Sequence, residues 1–438
     1  MRNLFYSFIF LMILTTIALG EPGEKEVTSP DLPKPLATPS VIKHPKVVGW
    51  PAGKTPRAPE GFKVSALVRD LENPRWLYVL PNGDILVAQA RTLPKPEKEE
   101  DKKKEKSEKE VKQKEGMKKS KTVTGDSPNK ITLLRDKDHD GAPEVSETFL
   151  EELNQPFGMA LVGNTLFVAT TDALLAFPYK EGQTSIEVKP RKILDLPAGG
   201  YNNHWTRNVV ANADGSKLYI SVGSASNVGE YGTAEEILRA NILEVNLDGT
   251  ALRVFASGLR NPVGMDWEPE TKKLFTAVNE RDELGDDLVP DYLTSVRDGA
   301  FYGWPYSYFG QNEDPRRKGE RPDLVEKAVV PDLALGSHTA SLGLTFYEGK
   351  QFPAKYRGGA FIGQRGSWNR SKFVGYRVAF VPFKKGMPAG EAEDFLTGFI
   401  ANDSEVYGRP VGVAVAADGA LLVADEPSNI IWRVSVEK

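Results

Sequence analysis

A polar turn followed by a short apolar run of strand-forming residues recurs six times, and no other feature restricts the fold as tightly. Pro81-Asn82-Gly83-Asp84 precedes ILVAQ, Gly163-Asn164 precedes TLFVAT, and Asp214-Gly215 precedes SKLYISVG. The pattern returns as Glu270-Thr271-Lys272-Lys273 before LFTAV, Arg357-Gly358-Gly359 before AFIG, and Asp418-Gly419 before ALLVAD. Each is a hairpin signal: a tight turn feeding a half-buried or fully buried strand. Upstream of each lies a matching first strand: ENPRWLYVL, NQPFGMALV, HWTRNVVAN, RNPVGMDWE, ASLGLTFYE and GRPVGVAVA. The units stand about 50 to 80 residues apart once a charged insertion is counted, and none has a helical period. Units of that size predict a radially repeated sheet, an all-β six-bladed β-propeller over residues 56–438. A β-sandwich array or a solenoid is the alternative, but solenoid repeats are shorter and more regular. The C-terminal strand IIWRVSV is expected to pair with an N-terminal strand and close the ring.

Three stretches stand outside this pattern. Residues 1–20 read as a signal peptide, with Arg2 before an apolar run and small residues at Ala18 and Gly20 for cleavage. An uncleaved anchor is the alternative, although 17 residues from Leu4 lie at the lower edge of what spans a bilayer. The mature chain is therefore expected to be periplasmic or secreted, without stable membrane insertion. Residues 21–55, rich in Pro, Lys and Thr, read as a flexible linker. Lys95–Lys121 holds 12 Lys and 8 Asp/Glu with almost nothing apolar, so about 95–129 reads as a disordered charged insertion that cannot bury enough surface to order itself. A solvated helix with Glu/Lys pairs, or contact with an anionic surface, is the alternative.

Cysteine is absent, which removes disulfides, thiolate zinc sites and a Cys nucleophile. Net charge is −4, from 56 Lys+Arg against 60 Asp+Glu, and gives no global pull toward nucleic acid. Histidine occurs at positions 44, 139, 204 and 338 alone. In a propeller, the starts of the inner strands converge on one end of the channel. Here those starts carry Arg75, Asn203-His204, Arg207-Asn208, Arg260-Asn261, His338 and Arg409. Polar groups there are costly unless satisfied. Gathered around one axis they form a cationic cup for a polyanion; scattered, they are salt bridges capping the blades. Separately, Asp136-Lys137-Asp138-His139-Asp140-Gly141, with Glu147 at the twelfth position, fits the EF-hand expression. Its flanks read as strands, so Asp136, Asp138, Asp140 and Glu147 are either a calcium-held hairpin or an unliganded turn.

GGYNNHWTRN, GLRNPVGMDW, NERDELGDDL, FYGWP, HTASLGLTFYEG and GSWNR follow in that order. In this series the chain resembles the glucose/sorbosone dehydrogenase family, and more closely its sorbosone dehydrogenase-like branch, from about Gly61 to Val436. The resemblance implies a six-bladed propeller using pyrroloquinoline quinone (PQQ) and calcium. It implies His204 as the general base taking the substrate hydroxyl proton, with Arg260 and Asn261 on the quinone. Asn203 stands where glucose-specific members have a carboxylate. Arg409 matches one of two arginines on the cofactor carboxylates, and Val411 stands in place of the second. Arg365 lies near the family's cofactor lysine, and Arg207 could supply the missing charge. The main-chain carbonyls of Arg281 and Asp282 replace the family's Gly-Pro as calcium ligands.

The leading expectation is an exported PQQ- and calcium-dependent dehydrogenase of a sugar or related hydroxyl or aldehyde substrate. Its electrons would pass to an external quinone or cytochrome, because the chain has no CxxCH haem site. A metal-dependent lactonase and a non-catalytic binding propeller are the alternatives.

Overall fold

Each of the six turns joins two antiparallel strands. Asn82-Gly83 links Pro74–Val79 to Ile85–Gln89, with Val79 opposite Ile85. Gly163-Asn164 is a two-residue loop between Val162 and Thr165, and Asp418-Gly419 lies between Val415 and Leu421. A third and fourth strand complete each sheet, giving a six-bladed β-propeller. The computed structural model describes residues 31–93, 126–138 and 140–437. The signal-peptide reading, the first part of the linker, most of the charged insertion and His139 fall outside those residues.

Blade one runs Pro74–Val79, Ile85–Gln89, Lys130–Arg135, Val145–Leu150. Blade two runs from Met159 to Asp195, blade three from Arg207 to Ser257, blade four from Pro262 to Ser337, and blade five from Thr345 to Leu396. Blade six takes three strands from Pro410–Val436 and its outermost, Phe62–Val68, from the other end of the chain. Phe62 pairs with Val436 and Ala66 with Trp432, the closure expected from IIWRVSV.

Apolar layers between neighbouring blades hold the ring. Trp76, Leu86 and Ile131 of blade one share a core with Met159, Leu166 and Val168 of blade two. Trp432, Val423 and Val413 of blade six pack with Phe361, Val378 and Phe380 of blade five. A glycine recurs in the inner strands because neighbouring backbones touch there. A Cβ on Gly343 would stand 2.1 Å from the Val411 carbonyl oxygen, and one on Gly412 2.6 Å from that of Arg75.

Residues 31–55 depart from the linker expectation, because they are laid along the ring. Leu36 N–H donates to the Leu284 carbonyl at 2.7 Å, and Lys43 N–H to that of Trp368 at 2.8 Å. Lys46–Val47 pairs in parallel with Glu405–Val406. Trp50 packs on Phe399, Tyr407 and Trp432, while its Nε1 donates to Asp425 at 2.7 Å. Among the described residues no helix is long and apolar enough to cross a membrane.

Candidate active site

In every blade the first strand runs away from one face and the second returns to it. Starts of first strands and loops after second strands therefore meet on that face. His204, Asn261 and Arg409 stand just before first strands, and Arg75 is the second residue of one; Ser224, Glu280–Asp287, Arg365–Arg370 and Glu426 follow second strands.

Contacts link these residues into a circuit. The His204 ring Nδ1 lies 2.8 Å from the Ser224 carbonyl and 3.0 Å from its hydroxyl. The hydroxyl donates onward to the Ser226 carbonyl at 2.6 Å. Both oxygens beside Nδ1 therefore accept, so Nδ1 carries the proton and Nε2 is the acceptor nitrogen. The Asn203 amide reaches Nε2 at 3.4 Å. From Ser224, N–H donates to the Arg260 carbonyl at 2.7 Å. The Arg260 guanidinium, 1% exposed, donates to Asn227 Oδ1 at 2.9 Å, the Glu280 carbonyl at 2.5 Å and Asp282 at 3.0 Å. Asp282 also accepts from Asn369 at 2.7 Å, and Asn369 contacts His338 Nδ1 at 3.0 Å.

On the other side, Trp205 carries the Arg75 guanidinium over its ring at 5.2 Å. Arg75 bonds Glu426 at 2.9 Å, and the other oxygen of Glu426 takes Arg365. Arg409 donates to the Arg365 carbonyl at 3.0 Å and to that of Gly366 at 2.6 Å. Three guanidiniums thus surround one carboxylate. Burial alone would raise the Glu426 carboxyl, but Arg365, Arg75 and Arg409 outweigh it and hold it well below its ordinary value. Burial, then the charge of Arg365, brings Arg409 down to about 10.

Blades one, three, four, five and six therefore bring His204, Arg260, Asn261, Arg365 and Arg409 together on one face. Two assignments change. Arg207 is fully buried; its two terminal nitrogens donate to the carbonyls of His204 at 2.7 Å, Thr206 at 2.9 Å and Pro197 at 2.6 Å and to Asn202, while its Nε has no partner among the described residues. Burial, then Arg239, lowers it to about 9. It braces the loop carrying His204 and is not a cofactor charge. At the calcium loop, the Asp282 carbonyl already accepts from Arg316 at 3.0 Å and from the Asn227 amide at 3.2 Å. The Arg281 guanidinium is consumed by Glu280, Asp314 and the Ser307 carbonyl. With two N–H donors on it, the Asp282 carbonyl does not fit as a calcium ligand.

The residues do fit an anionic cofactor. Arg75, Arg260, Arg365 and Arg409 set four guanidiniums against the carboxylates of Glu426 and Asp282. Arg75 Nε and Asn261 Oδ1 are buried without a partner among the described residues. Gly223 keeps that spot bare: a Cβ there would lie 2.3 Å from Asn261 Oδ1 and 2.6 Å from the His204 Cβ. Fork-shaped guanidiniums suit the carboxylates of such a cofactor.

Glu426, Ser224, Asn227 and Trp368 were not singled out from the sequence. A signal existed for Glu426 and Ser224, which stand one and two residues after a second strand, as Arg365 and Glu280 do in their own units; Asn227 and Trp368 lie deeper in those loops. In the acidic loop, Asp136, Asp138 and Asp140 do come together, but Glu144 joins them in place of Glu147; their ligand atoms lie within 4.8 Å of one another. Glu147 sits in the strand beyond the turn, opposite Leu133. This loop joins a third to a fourth strand and so lies on the face away from His204.

Residues 54–433 match the family model described as Domain of unknown function (DUF7133). The chain belongs to that family. An uncharacterized protein of Borreliella burgdorferi is 30% identical to the DUF7133 chain over 301 residues, 66% of this chain and 78% of the relative. A Trichoderma reesei structure of carbohydrate-active enzymes family AA12 shares its fold with a TM-score of 0.68 at 18% identity, covering 90% of this chain and 99% of that one. The holo form of the pyranose dehydrogenase PQQ domain from Coprinopsis cinerea does so with a TM-score of 0.67 at 18% identity, covering 89% and 99%. The resemblance read from the motifs is thus matched at the level of the fold, while the family model covering the chain is that of DUF7133.

Proposed function

We propose that this DUF7133 protein is a quinoprotein dehydrogenase that uses PQQ to oxidise a sugar or a related hydroxyl or aldehyde compound. The observation that carries the reading is the circuit in which the buried guanidiniums of Arg75, Arg260, Arg365 and Arg409 gather on the face that carries His204. Likeness of fold to the holo PQQ domain from Coprinopsis cinerea and to the PQQ-bound aldose sugar dehydrogenase from Streptomyces coelicolor supports it. When bound, PQQ supplies an electrophilic quinone that accepts hydride from the substrate carbon. Arg260 and Asn261 would hold its quinone end, and Arg409, Arg365 and Arg75 its carboxylates. His204, with Nδ1 donating to the Ser224 carbonyl, receives the substrate hydroxyl proton at Nε2. Arg260, fixed by Asn227, Glu280 and Asp282, stabilises negative charge developing on oxygen beside it. The proposal includes export and an external quinone or cytochrome as electron acceptor.

Hydrolysis at a metal is the weaker reading. Among the described residues, the group of three or more acidic or histidine side chains able to share an ion is the exposed Asp136 loop, on the opposite face.

The test is titration of PQQ into the purified protein, followed by quinone absorbance and thermal stability, then dye-linked oxidation of aldoses. Binding with a raised melting temperature, and oxidation that falls about 10²–10⁴-fold in His204→Ala, are expected. No PQQ binding would reject the reading. Unchanged turnover in His204→Ala would reject that residue as the base.

A further inference from the structure

The segment Leu36–Trp50 crosses the site face and touches the loops of three successive blades. In blade four, Gly285 N–H donates to Ser40 Oγ at 3.0 Å and Asp286 N–H to Thr38 Oγ1 at 2.8 Å. In blade five, Lys43 donates through Nζ to the Ser371 carbonyl at 2.9 Å and lies 4.8 Å over the Phe373 ring. Blade six is reached through Lys46–Val47 and Trp50. These anchors fix the one residue between them that carries unused chemistry, His44. Its imidazole lies flat on Trp368, centroids 5.5 Å apart and planes within 8°. Its Nε2 is buried and finds no partner among the described residues.

The surroundings say what Nε2 would meet. Trp368 lies between Gly366, whose carbonyl takes Arg409, and Asn369, which bonds Asp282. Burial, then the positive charge of Arg409, lowers the imidazole below its ordinary value, which favours the neutral ring. A buried polar atom left unbonded costs stability. Two further atoms of the circuit, Arg75 Nε and Asn261 Oδ1, are unbonded in the same way.

We propose that the N-terminal strap is a wall of the ligand well and that His44 is a binding residue in it, donating from Nε2 to an oxygen of the anionic ligand held by Arg409 and Arg365. This rests on the reading of the arginine circuit as the PQQ site. The strap lies before residue 54, where the match to the DUF7133 model begins.

The experiment measures PQQ affinity by absorbance and calorimetry, without turnover, for the wild type, His44→Ala and His44→Gln, with the melting temperature of each apo-protein. Support is a wild type that binds, a loss of about tenfold or more in His44→Ala, and partial recovery in His44→Gln, whose amide can still donate. Wild-type binding with equal affinity in His44→Ala overturns the strap proposal and leaves the cofactor reading intact. A lower apo melting temperature with unchanged affinity also overturns it, because His44 would then only secure the strap. No PQQ binding by the wild type removes the reading beneath it and the strap proposal together.

Discussion

At the scale of single residues, the site is defined by buried guanidiniums and the carboxylates that hold them. Glu426 balances Arg75 and Arg365 and lies beside Arg409, and neutralising it strands guanidiniums in the interior. Glu426→Gln is expected to cost about 3–5 kcal/mol. The sign of its pH dependence follows from the depressed carboxyl. Its stabilisation is complete above the unfolded value of 4.5 and drains as acid protonates it in the unfolded chain first. The difference in melting temperature between wild type and Glu426→Gln should therefore be widest near neutrality and shrink toward pH 3; a difference constant with pH would contradict this. The blocked Asp282 carbonyl gives another expectation. PQQ affinity measured in EGTA should match that measured in calcium within about twofold. A loss restored by calcium would mean that Arg316 and Asn227 leave that oxygen. Of these residues, the sequence singles out His204, Arg260, Asn261 and Arg409 because they stand just before apolar strands, where a polar group needs a reason. Arg207 looked the same in the sequence, and its role as a brace shows only when the carbonyls around it are in place.

At the scale of elements, the strand pairs were legible, although in blade five Phe346 and Ala360 pair across a long loop with a 3-10 turn at Ala354–Tyr356, and Arg357-Gly358-Gly359 only ends it. Each turn residue pattern specifies a local geometry, and all six pair as read. The loops after second strands were less so, since their partners come from other blades and no local period marks them. The Asp136 loop shows the same limit: a spacing rule made for a helix placed Glu147 as a ligand, but the strand beginning at Val145 carries it away and leaves Glu144 in the turn. Contacts between blades are what the inner glycines protect. Gly343→Ala, with its new methyl against the Val411 carbonyl, should lower stability by about 1–3 kcal/mol. Gly199→Ala, which meets no atom within 4 Å, serves as the control. Equal melting curves for the two variants would show that blades five and six can separate without penalty.

For the whole molecule, the ring holds because its sixth sheet is shared between the two ends of the chain. A protein beginning at Asp70 lacks Phe62–Val68 and leaves Ile430–Val436 as an open edge, a template for pairing with other chains. It should elute as aggregates in size-exclusion chromatography and lose its cooperative melting; a monomer melting like the wild type would contradict the closure. The same arrangement governs the order of events at the ribosome. Phe62 is synthesised long before Val436, its partner, so the nascent polypeptide must wait with a strand in hand until translation ends. Completion of the toroid is thereby tied to release of the chain, and a translocation machine that engages before release would receive it still unlocked.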